Sequence, residues 1–183
     1  MIEYILAFLA GVAVKIADWL EDEKKDKSPV KLFFGVGYGI ILGYLVSVSP
    51  FSALFFAALV AQVFAGKIDE VAHRLGLGIA VVTIAFFGLP QMDYSMFIYF
   101  IVLACLDEME FAGIFGVLSE NRLFILVGSL PMIVLRPGGW VYPAGILAFD
   151  IGYVLVTKLA HPNPLGTEAI SSKVPATKTL YAK

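Results

Sequence analysis

Apolar runs of nearly bilayer-crossing length succeed one another along this chain with only short polar breaks. About 20 mostly apolar residues suffice for a helix to span the hydrocarbon layer. Seven runs approach that length: residues 3–20, 30–48, 51–66, 75–90, 94–118, 123–135 and 140–159. The third, fourth and sixth are short, and Pro131 predicts a bend or a re-entrant turn within the sixth. Lipid gives an exposed backbone no hydrogen-bond partners, so such runs must satisfy their amides internally, as helices. None shows the alternation of a barrel strand. The expected fold is an all-α, polytopic integral membrane protein of about seven transmembrane helices. Composition agrees: 60% of the 183 residues are hydrophobic and 15% charged, where a soluble domain averages about 45–50% and 25%.

Basic residues set the expected orientation, because Lys and Arg gather in cytoplasmic loops. Lys24, Lys25, Lys27 and Lys31 fall between the first two runs, Lys67 and Arg74 between the third and fourth, and Arg122 between the fifth and sixth. Lys158, Lys173, Lys178 and Lys183 lie at or beyond the end of the seventh, whereas the opposite loops carry only Arg136. This places the N-terminus outside and the C-terminus in the cytoplasm. Residues 1–160 form the expected helical bundle and 161–183 a flexible cytoplasmic tail, in a compact design that points to a prokaryotic plasma membrane. The first run has no basic leader and no small-residue cleavage site, and so reads as a retained helix rather than a signal peptide. A net charge of −2 and a pI near 5.6 leave no basic footprint for nucleic acid. The single Cys105 excludes an internal disulfide.

A short pattern recurs at the ends of alternate runs. "AVKIAD" (13–18), "AGKIDE" (65–70) and "ACLDE" (104–108) align without gaps, and "AFD" (148–150) fits the same frame. One column then holds Asp69, Asp107 and Asp150, and the next holds Asp18, Glu70 and Glu108. An apolar segment with early glycines follows each of the first three fragments. The pattern suggests three repeated helical hairpins plus a final helix, an internal repetition common in transport folds. All four fragments lie on runs heading the same way, so their acids share the cytoplasmic half of the membrane.

Carboxylates within the hydrocarbon layer are costly and normally face a bundle interior or a water-filled cavity. Asp107 and Asp150 fall deepest in their runs and are the expected core of a cation or proton site. Asp69, Glu70, Glu108 and Glu110 are secondary candidates, and Asp18 marks the entrance. Helical spacing puts Asp107 and Glu110 on one face, and Asp69 beside His73. Lys15 with Asp18, and Lys67 with Glu70, have the spacing of simple ion pairs. Oxygen ligands suit a divalent metal such as Mg²⁺, and a set of Asp69, His73, Asp107 and Asp150 would also admit Zn²⁺ or Fe²⁺.

The leading expectation is a transporter or channel-like protein that binds a metal ion or proton at these acids. A second is a Mg²⁺-dependent enzyme acting on a lipid or isoprenoid phosphate. There the acids would hold metal and Lys15 and Lys67 would meet phosphate, with Arg74 and Arg122 as further candidates. A third is a non-catalytic membrane subunit. Gly35, Gly39 and Gly43 recur at four-residue spacing, which permits close helix approach, either inside the bundle or as a homo-oligomer seam.

Overall fold

The computed structural model describes residues 1–23, 29–48, 50–66, 68, 70–109, 111–120 and 122–160. Lys24, Lys25, Lys27, Lys67, Asp69, Glu110 and the whole of 161–183 fall outside the described residues. Every regular element among the described residues is a helix. Helix α1 (Ile2–Asp18) runs on into a π-helical turn (Trp19–Glu23). It is followed by α2 (Val30–Ser47), α3 (Ser52–Phe64), α4 (Val71–Phe87), α5 (Tyr94–Glu108), α6 (Ile114–Glu120), α7 (Leu123–Ser129), α8 (Met132–Leu135) and α9 (Val141–Ala160). Two of these, α2 and α9, are long and apolar enough to cross a membrane.

Two of the apolar runs are not single helices. The fifth breaks where its acids begin: α5 stops at Glu108, Met109 is extended, and α6 starts only at Ile114. The helical register that would set Asp107 and Glu110 on one face therefore ends short of Glu110. The sixth breaks around Pro131, where α7 gives way to the single turn of α8. Proline lacks the N–H needed to continue the helical ladder and clashes with the preceding turn.

The helices sort into two blocks. Helices α1, α2, α4 and α9 pack on one another, and α3, α5, α6 and α7 form a second group joined to the first by narrower α2–α3 and α7–α9 contacts. This corrects the expected middle hairpin, because α4 lies along α2 while α3 lies along α5. The reason is a seam of small residues. A Cβ on Gly35 would meet Ala72, one on Gly39 would meet the Gly76 carbonyl, and one on Gly43 would meet Ala80 and Thr83. The numbers rise together, so α2 and α4 run parallel. Helices α1 and α9 are also parallel, since Tyr4 stacks on Trp140 at one end and Asp18 meets Tyr153 towards the other, with Gly11 and Gly152 packed on the facing backbones where the two helices cross.

The Gly35, Gly39, Gly43 face is thus covered by α4 within the chain, where a homo-oligomer seam would have to be bare. Gly39→Val should destabilise the bundle by about 1–3 kcal/mol through overpacking. Gly37, which faces open space, should accept alanine without loss. Unfolding of the two variants in detergent, side by side, checks this.

The two ends of the bundle differ in chemistry. One gathers aromatic rings: Tyr4 meets Phe51 edge-on at 5.4 Å and stacks on Trp140 at 6.0 Å. Tyr142 is buried against Phe100. Here too Asp93 caps α5 through the Ser95 and Met96 amides, at 3.0 and 3.2 Å, and pairs with Arg136. Arg136 is therefore a clasp between the turn before α9 and the start of α5.

The Ser95 hydroxyl, then the Arg136 guanidinium, hold the Asp93 carboxyl down to about 2. Its folded value lies below the unfolded one of about 3.9. The clasp's contribution is therefore complete above roughly pH 4 and fades as pH falls towards about 2. Arg136→Gln should flatten that part of the acid dependence, as read from unfolding midpoints between about pH 5 and 2.

Candidate functional site

At the end opposite the aromatic cluster, the two blocks part around a polar chamber of about 380 Å³. Asp18, Tyr38, His73 and Tyr153 line it from the first block, and Gln62 and Arg122 from the second. Lys15 and Glu70 complete its charged wall. Beside it lies a smaller, mainly apolar arm of about 80 Å³, whose walls include Phe55, Leu59, Phe149, Asp107, Glu108 and Asp150. Gln62 and Arg122 line both cavities and mark where they adjoin.

A hydrogen-bonded chain crosses the chamber and joins all four helices of the first block. Tyr153 of α9 donates its hydroxyl to Asp18 Oδ2 at 2.9 Å. Asp18 Oδ1 lies 2.8 Å from His73 Nε2, and His73 Nδ1 lies 3.0 Å from the Tyr38 hydroxyl. That hydroxyl is also 3.3 Å from the His73 carbonyl oxygen. With a neutral imidazole, Tyr38 donates to Nδ1. With a protonated one, Nδ1–H donates to Tyr38, which turns its own hydrogen to the carbonyl. The network thus stays satisfied in both protonation states of His73.

Asp18 is not simply the i, i+3 partner of Lys15, since His73 and Tyr153 take its two oxygens. Lys15 lies over the Tyr153 ring at 5.3 Å, and Arg122 lies near the same ring at 5.6 Å.

Two acids have architectural partners. Asp107 accepts the backbone N–H of Phe124 at 2.8 Å and of Ile125 at 2.9 Å, so both its oxygens cap the start of α7. Glu21, which the sequence pattern passed over, accepts from the Ala72 amide at the start of α4 and lies 3.3 Å from Lys31 Nζ. In each case an acid at the end of one helix satisfies amides that another helix leaves open at its first turn.

Asp150 differs. It projects from the middle of α9 into the apolar arm. Among the described residues it makes no hydrogen bond or ion pair. Asp107, Glu108 and Arg122 are the charged side chains that share its cavity. Arg122 is the one described non-glycine residue with positive φ, at 52°. The left-handed backbone costs a residue that carries a Cβ about 1–2 kcal/mol, and Arg122 lines both cavities at their junction.

The acids highlighted by the sequence therefore fall into two compartments. Asp18 and Glu70 line the chamber, while Asp107, Glu108 and Asp150 line the arm. His73 joins Asp18 rather than Asp107 and Asp150. Among the described residues, no three His, Cys, Asp or Glu side chains converge as a metal site. Tyr38, Gln62 and Tyr153 were not singled out by pattern. Their signal was available: a phenol or amide within an apolar run needs a polar partner. Nothing among protein-family models, curated proteins or solved structures matches this chain.

Proposed function

We propose that this protein is a polytopic membrane bundle of seven crossings, N-terminus outside, that carries a cation through the cavity between its two helix blocks. The cation is a proton, taken up at Asp150 and exchanged with the Asp18–His73 pair. The observation that carries this reading is the Asp150 carboxylate, set without a hydrogen-bond partner among the described residues in an apolar arm between the blocks. An intramembrane acid in that position marks an ion or proton path.

Membrane embedding is supported by large apolar side chains left open around the bundle. Phe33, Phe86 and Val134 are 75%, 82% and 88% exposed, a surface that water would penalise and lipid would not. Parallel α1/α9 and α2/α4 pairs fit a chain that reverses direction at each crossing. A proton suits the site better than a metal, because no ligand cluster converges among the described residues while the His73–Tyr38 contact accommodates either protonation state.

Thermal unfolding of the purified protein across pH, with and without Mg²⁺, Mn²⁺, Ca²⁺ and Zn²⁺, tests this choice. The proton reading expects midpoints that follow pH, ignore metals, and lose much of their pH response in Asp150→Asn. A metal-specific rise that Asp150→Asn removes would replace the proton by that metal.

The gathering of Lys15 and Arg122 around one ring supports a second reading, an enzyme acting on a lipid phosphate. It expects stabilisation by diphosphate that Arg122→Gln abolishes.

A further inference from the structure

Among the described residues, the two adjoining cavities are lined by more acids than bases, with His73 paired to one of the acids. Asp18, Glu70, Asp107, Glu108 and Asp150 line them, against Lys15 and Arg122. In a site screened little by water, that imbalance favours a cationic ligand over an anionic one. The wall around Asp150 nevertheless suits no small hard ion. Mg²⁺ or Ca²⁺ needs about six or more oxygen ligands to replace its hydration. Gln62, Asp107 and Glu108 share the arm, but both Asp107 oxygens are taken by α7 amides, no three His, Cys, Asp or Glu side chains converge among the described residues, and Phe55, Leu59, Ala104, Ile125 and Phe149 supply no side-chain oxygen.

An organic ammonium has the matching properties. It has one diffuse charge, weak hydration and an apolar body that gains from burial and from aromatic faces. A chamber of about 380 Å³ is at the small end of sites for such molecules, and the arm of about 80 Å³ has room for a small apolar group.

We propose that the solute exchanged against the proton is a small hydrophobic organic cation that spans the joined cavities, its apolar group in the arm against Leu59 and Phe149 and its charge drawn towards Asp150. This rests on the carrier reading above. Proton and solute then compete for one carboxylate: a protonated Asp150 releases the cation, and a bound cation excludes the proton. Such competition is reciprocal and couples the two flows.

Isothermal titration of the full chain in neutral detergent tests the proposal with three probes. Benzyltrimethylammonium carries charge and ring, tetramethylammonium the charge alone, and benzyl alcohol the ring alone. Benzyltrimethylammonium should bind at least about tenfold more tightly than either fragment. Asp150→Asn should remove that advantage. Leu59→Trp, which narrows the arm that also holds Asp150, should weaken benzyltrimethylammonium by a larger factor than tetramethylammonium. Equal binding of benzyl alcohol, or full affinity in a folded Asp150→Asn protein, overturns the proposal. Proton flux in liposomes is scored separately. Flux without arylammonium binding keeps the carrier and removes this solute class, whereas binding without flux supports the site and removes the carrier.

Discussion

Asp107→Ala is expected to lower the unfolding free energy by about 2–3 kcal/mol. The side chain is 8% exposed and both its oxygens hold first-turn amides of α7. Alanine leaves the part-buried Phe124 N–H and the buried Ile125 N–H without their acceptor. Asn keeps one acceptor and should lose roughly half as much. Denaturation of the three proteins in one detergent gives the series. An Asp107→Ala protein as stable as wild type would mean that the cap is absent and that Asp107 is available to a ligand. Glu21→Gln should show the milder form of the same effect, since the amide retains an acceptor for Ala72 N–H but loses the charge facing Lys31.

Asp150→Asn is expected to do the reverse. No hydrogen bond or ion pair to Asp150 is lost among the described residues, and a charge in an apolar arm is removed. Stability should therefore hold or rise, since replacing a buried charge that lacks a close partner is often neutral or favourable. Function should vanish, because an amide cannot bind and release a proton. Uptake by reconstituted protein should fall to that of empty liposomes. The opposing outcomes at Asp107 and Asp150, two acids in one column of the sequence repeat, separate an architectural carboxylate from a functional one. Heavy destabilisation by Asp150→Asn would assign it an architectural role too.

The helical character of the chain was legible because each apolar run has one physical solution once water is excluded. The breaks were only partly so. Pro131 announced its own interruption, but the end of α5 at Glu108 carries no such local signal, and the Asp107 contacts with α7 amides beside it are invisible to local periodicity. The pairing of α4 with α2 was half visible: Gly35, Gly39 and Gly43 formed a stripe, and Gly76 opened the fourth run. Short connections nevertheless suggested α3 and α4 as neighbours, and close backbone approach along the glycines outweighed chain proximity.

At the site, column matching brought out Asp18, Glu70, Asp107, Glu108 and Asp150 as a set. It carried no information on partners, so it ranked Asp107 with Asp150 although their surroundings differ. Tyr38, Gln62 and Tyr153 lay in apolar runs where pattern reading attends to charge and passes over neutral polar groups.

Proton flux in liposomes decides whether Asp150 carries a proton across the bundle. Purified protein is reconstituted into liposomes loaded with a pH-sensitive dye and diluted into solute-free buffer; a one-for-one exchange of a proton for a monovalent cation moves no net charge, so the outward solute gradient drives it. With an arylammonium solute trapped inside as the exchanging cation, the account predicts internal acidification above that of protein-free liposomes, faster with the solute than without it and absent in Asp150→Asn. Acidification no faster than in protein-free liposomes under both conditions, from protein that is folded and inserted, would contradict it.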